Sequence, residues 1–332
     1  MNEHDHSSRS DSMAAGIYYA VSGLLFPVTV VGYGLWVAKA FASRQSGVSV
    51  TAQGPLSARW FQHNLGTRQD EASDHLMRVL PGTSPLALRL TLGPMQLAHR
   101  ASGYVPKAFR YPFEGAIPPK YEASARVPFF DDVVERRTKE VQQFVILGAG
   151  FDTRALRLPK DTPVKRFEVD MPETQKVKRD TLERAGIDAT GVTFVPADFE
   201  NEDWFDQLLR AGFDRTKPAL FIWEGVIMYL DKEAIESTLK KIAALPKGTA
   251  VAFDYFTTEP LESKSLYWKY ARAATRAANE PLKFGIDATP PSKERLSELL
   301  HGCGLSLVEH QTLGDEDAGE RAWGGFAVAA VT

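Results

Sequence analysis

Residues 144–158 constrain the fold most: Phe-Val-Ile-Leu-Gly-Ala-Gly-Phe-Asp-Thr-Arg-Ala-Leu-Arg-Leu. The apolar run Phe144 to Leu147 fits a strand buried on both faces. Gly148 and Gly150 follow, then Asp152 and Thr153, residue types that begin helices. Strand, glycine turn and helix start bring backbone amides up to a polar ligand. A dinucleotide fingerprint needs a third glycine three residues after the second, and Thr153 stands there. The remaining Gly-x-Gly-x-Asp suits a ligand with no pyrophosphate. S-adenosylmethionine is such a ligand; it carries an ammonium and a carboxylate, and Asp152 is placed to meet the ammonium. Taken alone, the stretch equally fits any glycine-rich strand-to-helix turn.

Downstream the chain alternates strand and helix, the pattern of a doubly wound, mostly parallel α/β sheet. Strands are expected over 164–169, 192–195, 219–223 and 249–255, with two more at 305–309 and 326–331. Helices are expected over 173–185, 232–244 and 292–301, with Asp231 as N-cap of the second. Lys176, Lys178, Arg179 and Arg184 in the first of these read as a solvated face. Upstream, 57–104 reads as helical, punctuated at Pro81-Gly82 and Pro85. Residues 104–119 read as an ordered aromatic loop, and 120–140 as a helix carrying Arg126, with Phe129 and Phe130 turned inward.

This layout puts an acid at the C-terminal end of successive strands. Asp152 follows the first, Asp170 ends the second, Asp198 follows the third and Glu224 the fourth. Open α/β sheets bind ligands at that edge. Asp170 falls about twenty residues after Gly150, the spacing of the acid that meets ribose hydroxyls in nucleotide-binding sheets. Glu168 is expected on the same side of its strand. Helix capping explains any one of these acids; the set of four on one edge suits ammonium, ribose hydroxyls, adenine amino group and a sulfonium cation.

Composition narrows the classes. The net charge of -3 gives no electrostatic case for nucleic acid. The single cysteine, Cys303, excludes an internal disulfide framework and fits a reducing compartment. The histidines show no metal-ligand spacing, so no metal is expected.

The N-terminal region is different in character. Residues 1–16 are polar and read as disordered. Ile17 to Ala38 carries no charge and has the length of a bilayer crossing, with Tyr18, Tyr19 and Trp36 near its ends. Pro27 and three glycines lower its hydrophobicity. Three readings stay open: a membrane span, a signal segment ending near Ala40-Phe-Ala42, or an apolar helix docked on this chain's own domain or a partner. Lys39 and Arg44 follow the run, so a span would leave the rest of the chain cytoplasmic, on the inner face of the membrane. Residues 43–56 read as a linker.

The runs Val145-Ile-Leu-Gly-Ala-Gly-Phe-Asp-Thr-Arg-Ala-Leu-Arg-Leu158, Phe167-Glu-Val-Asp170 and Glu224-Gly-Val-Ile-Met-Tyr-Leu230 resemble the leucine carboxyl methyltransferase family. The closer likeness is to its bacterial branch, which includes polyketide O-methyltransferases. Ala125-Arg126, Phe129-Phe-Asp131 and Phe284-Gly-Ile286 agree as well. The likeness runs from about residue 54 to the C-terminus and leaves residues 1–50 outside. It implies a Rossmann-like methyltransferase domain over 51–332, with a seven-stranded sheet whose last strand is antiparallel. It also implies a helical cap built from 57–140 and about 257–290.

By this resemblance Arg126 pairs with the methionyl carboxylate, and Gly148 and Gly150 let the backbone approach the cofactor. Asp170 holds the ribose hydroxyls, Asp198 the adenine amino group, and Glu224 lines the methionyl end. Arg59 stands where some members place a second cation, though an exposed helix arginine is the plainer reading. Tyr229 and Tyr255 are candidates for the acceptor side, or else core tyrosines. The implied reaction is S-adenosylmethionine-dependent O-methylation of a carboxylate or hydroxyl on a small molecule. An NAD-dependent oxidoreductase and a non-catalytic membrane-tethered cofactor-binding protein are the alternatives.

Overall fold

The computed structural model describes residues 3–43, 50–113, 115, 117–199 and 202–332. The chain begins with two helices, α1 (Glu3–Leu24) and α2 (Phe26–Ala42). Three more follow: α3 (Val50–Asn64), α4 (Glu71–Val79) and α5 (Pro85–Ser102). Helix α6 (Glu122–Arg137) leads into β1 (Gln143–Leu147), and a single turn, α7 (Arg154–Arg157), comes after the glycines. Then come β2 (Lys165–Asp170), α8 (Pro172–Arg184), β3 (Val192–Pro196), α9 (Trp204–Arg210), β4 (Ala219–Trp223), α10 (Lys232–Ala243) and β5 (Ala250–Phe256). Helices α11 (Glu259–Glu262) and α12 (Leu266–Ala277) occupy the late insertion, before α13 (Ser292–Gly302), β6 (Ser306–Leu313) and β7 (Gly324–Ala330).

Among the described residues these strands form one seven-stranded sheet in the order β3-β2-β1-β4-β5-β7-β6. The first five are parallel, and β7 runs antiparallel between β5 and β6. The chain order reverses between β1 and β4, the crevice where such sheets hold ligands. This is the doubly wound, Rossmann-like α/β arrangement expected from the alternation. The period of two sorts β1 between two layers. Phe144 and Ile146 pack with Phe130 and Val133 of α6, whereas Val145 and Leu147 pack with Trp204 and Leu239 on the opposite face. Both faces are covered, which is why β4 is apolar throughout and β1 is apolar from Phe144 to Leu147.

Four expectations need correction. Residues 3–16 lie in α1 and are helical, not disordered. The uncharged run is no single span: it breaks at Leu25, and α1 and α2 meet at 65°. No single described helix is long and apolar enough to cross a membrane. Pro27 lacks the N–H that a continuing helix needs, and Gly23 weakens the preceding turn. The linker expected over 43–56 lies outside the described residues at 44–49, and from Val50 it is the first part of α3. Lys178 is not solvated. The period of α8 buries Gln175, Lys178, Thr181 and Leu182 together, and the Lys178 ammonium meets Glu168 at 2.6 Å. Asp231 occupies the N-cap position of α10 but makes no side-chain cap hydrogen bond.

Candidate functional site

A cavity of about 430 Å³ opens at the C-terminal edge of the sheet. Its floor is the glycine turn after β1 together with Glu224, Gly225 and Val226 after β4. Asp170, Met171 and Asp198 close one end. Ala52, Pro55 and Arg59 reach in from α3, and Glu122 and Arg126 from α6. Met228, Tyr229, Phe256 and the segment 279–283 from the late insertion complete the lining. Helices before the sheet and the insertion after β5 thus supply its walls.

The glycine turn has a steric reason. Gly148 has φ +65°, and a Cβ there would lie 2.4 Å from Cγ2 of Val226. Gly148→Ala is therefore expected to lower the unfolding free energy by about 1–3 kcal/mol, read as a lower denaturant midpoint. An unchanged midpoint would show that Val226 moves aside freely. At Gly225, with φ +73°, a Cβ would sit 2.8 Å from Nη1 of Arg126. Glycine there lets the guanidinium come down onto the β4 turn.

Between the two turns lies a buried network of charge. Arg59 Nη2 donates to Asp152 Oδ2 at 3.0 Å and to Glu224 Oε2 at 3.0 Å. Arg154 donates to Asp152 Oδ2 at 2.6 Å, to Asp131 Oδ1 at 2.7 Å and to Glu224. Arg126 donates to Asp254 Oδ2 at 2.6 Å, and its Nε stands 3.2 Å from Glu122 Oε1. The Gly225 N–H donates to the other oxygen of Asp254 at 2.6 Å. Burial alone would raise Asp152 and Glu224, but Arg154 and Arg59 hold both below the usual carboxylate range. Burial wins at Glu122, which is pushed up to about 7 against the pull of Arg126.

Asp170 is set differently. It accepts the Met171 N–H at 2.7 Å and the Gly150 N–H on its other oxygen, so the carboxylate ties the end of β2 to the glycine turn. Burial raises it to about 6, against those hydrogen bonds and the Lys178 charge. Beneath it, Lys178 donates to the Asp152 carbonyl at 2.8 Å. Glu168 faces this lysine rather than the cavity.

The structure brings Arg126, Gly148, Gly150, Asp152, Asp170, Asp198, Glu224 and Tyr229 to one cavity. Tyr255 is the exception. The alternation of β5 turns it to the opposite face, where it is buried beside Phe253 and its hydroxyl bonds His310 Nε2 at 2.8 Å. Its neighbour Asp254 faces Arg126 instead, a residue the sequence reading passed over. Arg59 is also corrected: it is 2% exposed and lines the cavity. Burial pushes the Tyr229 hydroxyl well above its ordinary value, so it remains a phenol at neutral pH. Glu122 and Arg154 were missed as well. Glu122 sits one turn before Arg126 on the same helix face, a spacing visible in the sequence; Arg154 lies within the glycine-turn run itself.

Residues 116–243 match the sequence profile of leucine carboxyl methyltransferase. A protein of Mycobacterium sp. (strain KMS), named as a proposed S-adenosyl-L-methionine-dependent methyltransferase, is 41% identical over 140 residues, 41% of this chain and 45% of that relative. A similarly named protein of Mycolicibacterium vanbaalenii is 33% identical over 205 residues, 60% of this chain and 62% of its own. One from Bacillus subtilis (strain 168) is 33% identical over 174 residues, 51% and 55% respectively. The chain thus spans roughly half the length of these curated relatives. Among solved structures, an O-methyltransferase family protein from Burkholderia thailandensis aligns with TM-score 0.44 and 12% identity, over 84% of this chain and 71% of that one. The fold assignment rests on the strand order, not on that likeness. Residues 116–243, which hold the glycine turn and the cavity acids from Glu122 to Glu224, are thus the part of the chain that is similar to the leucine carboxyl methyltransferase family.

Proposed function

We propose that this chain is an S-adenosylmethionine-dependent methyltransferase that methylates a carboxylate or hydroxyl oxygen of a small molecule, such as a polyketide-like metabolite. The observation that carries the reading is one cavity at the switch point of the sheet, lined together by a glycine turn, strand-end acids and buried arginines. The names of the Mycobacterium and Bacillus relatives support it. The chain is accordingly assigned to the cytoplasm, where S-adenosylmethionine is made.

The residues present fit this cofactor. Arg59 Nε is buried without a hydrogen-bond partner, a donor left for an anionic group such as a carboxylate. Arg59 and Arg126 would receive the methionyl carboxylate, and Asp152 and Glu224 the ammonium. Asp170 would take the ribose hydroxyls and Asp198 the adenine amino group. When bound, S-adenosylmethionine supplies a methyl group already activated on a sulfonium, so the protein's work is alignment and exclusion of water. Met228, Tyr229 and Phe256, which line the cavity, would face the acceptor. A carboxylate acceptor needs no base. A hydroxyl acceptor does, and Glu122, lining the cavity with an acidity near neutrality, is the group that can take its proton.

Isothermal calorimetry with S-adenosylmethionine, S-adenosylhomocysteine and NAD tests the cofactor. Binding of the first two at about 1–100 μM (roughly -5 to -8 kcal/mol) and none of NAD is expected. No heat with either sulfur ligand would remove this reading. Labelled-methyl transfer in cell extract, with mass spectrometry of the product, then identifies the acceptor.

Two acidities give a pH signature. Asp170 accepts from hydroxyl donors best when ionised, so S-adenosylhomocysteine affinity is expected to fall up to about tenfold between pH 7.5 and pH 5. The sign for stability is opposite. A folded-state value raised to about 6 favours the protonated folded form, so the Asp170 contribution is fullest below about pH 4 and declines as pH rises through 6. Affinity that stays flat over this range would separate Asp170 from the ligand. For a hydroxyl acceptor, kcat should rise through pH 7, and Glu122→Gln should lower it by about 10²–10⁴-fold. For a carboxylate acceptor the same variant should keep its kcat.

A further inference from the structure

We propose that α1 and α2 form a lipid-binding face, by which the protein lies in the interface of an anionic bilayer without crossing it. The inner side of this bent pair is spoken for. Tyr18 packs on Tyr104 with ring centroids 5.5 Å apart, and Trp36 on Trp60 at 6.1 Å. Gly32 presses on α5 so closely that a Cβ would lie 2.6 Å from the Thr91 nitrogen. The pair is therefore fixed along α5 as part of the domain, and a helix held in this way cannot be surrounded by lipid.

The outer side is apolar and open to solvent. Leu24 and Phe26, at the bend, are 81% and 62% exposed, and Val30, Val31, Tyr33 and Leu35 are exposed beside them. No charged residue occurs between Asp11 and Lys39. Exposed apolar residues gathered in this way on one pair of helices mark an interaction surface. At the break Val28 and Thr29 both donate to the Leu25 carbonyl, and Leu25 donates to Val21. Exposed apolar side chains of this kind can enter the acyl boundary while the helices lie in the interface plane.

Charge at its margin selects the partner. Helix α5 adds exposed Leu86 and Leu97, each followed three residues later, on the same helix face, by an exposed arginine, Arg89 and Arg100. Exposed Lys39 stands at the end of α2. Neither α2 nor α5 carries an acid. Asp11 ends the uncharged run on α1, but on the α2 and α5 side the band is edged by cations alone, which fits acyl chains edged by anionic headgroups.

Flotation of the full chain with vesicles tests this, and it does not depend on the methyl-transfer reading. The protein should float with phosphatidylcholine–phosphatidylglycerol vesicles at low salt, and much less with phosphatidylcholine alone. Leu24→Glu with Val31→Glu should abolish flotation while leaving the melting temperature unchanged, since both side chains are exposed. Arg89→Ser and Arg100→Ser should each weaken binding to the anionic vesicles by about fivefold. Failure of the unaltered chain to float with either vesicle overturns the proposal. So does a lipid-free dimer that the double glutamate variant dissociates, which would make a second copy of this chain the occupant.

Discussion

Replacing Arg154 by leucine is expected to lower the unfolding free energy by about 3–5 kcal/mol, the usual consequence of leaving buried charge without its partner. Arg154 is 2% exposed and bonds Asp131, Asp152 and Glu224 at once. Arg68 and Arg59 remain to serve these acids in the variant, but Arg59 already spans two of them. The pH dependence identifies the cause. In the unaltered chain all three acids are held below the usual range despite burial, so their stabilising contribution is present above about pH 4 and is lost as pH falls below it. Without Arg154 their values rise, and the three carboxyls protonate before they repel. The deficit should therefore be large at pH 8 and smaller at pH 5. Urea unfolding followed by tryptophan fluorescence measures both. A deficit below about 1 kcal/mol at pH 8 would mean that the acids find other partners.

Asp170→Ala is expected to weaken S-adenosylhomocysteine binding by about 2–4 kcal/mol, roughly 30- to 1,000-fold, the range for charged hydrogen bonds lost in a closed site. Two effects combine. The variant removes the acceptor proposed for the ribose hydroxyls, and it frees the Gly150 N–H that now ties the glycine turn to β2. Asp170→Asn separates them, because the amide oxygen can still accept from Gly150 while the charge is gone. A folded alanine variant that binds normally by calorimetry would refute the role given to Asp170.

The sheet was legible because both faces of it are covered. The apolar runs of β1 and β4 need no partner to be recognised, and an acid just past each run marks the ligand edge. Periodicity also held the information that was misread. Asp254 and Tyr255 are adjacent on β5, and a choice between two faces decides which of them meets the cavity. Lys178 was hidden among solvated lysines and arginines of α8, since only the position of Glu168 on the neighbouring strand explains its burial. Arg59 is separated from Asp152 by 93 positions, and no local pattern announces that contact. Hydropathy found the apolar N-terminal run but carries no direction. It did not show that Trp36 and Tyr18 point inward while Leu24 and Phe26 point out.

Trp60, against which Trp36 packs, is the next residue after Arg59. One peptide unit therefore joins the α3 wall of the cavity to the underside of the N-terminal helices. Trimming the chain to begin at residue 50 strips the indole cover from Trp60 and from Leu88 beside it. The backbone that aims Arg59 at Asp152 and Glu224 loses its backing in the same cut. The first two helices thus back the α3 wall of the cavity, and a shortened protein cannot serve as a neutral stand-in for the whole.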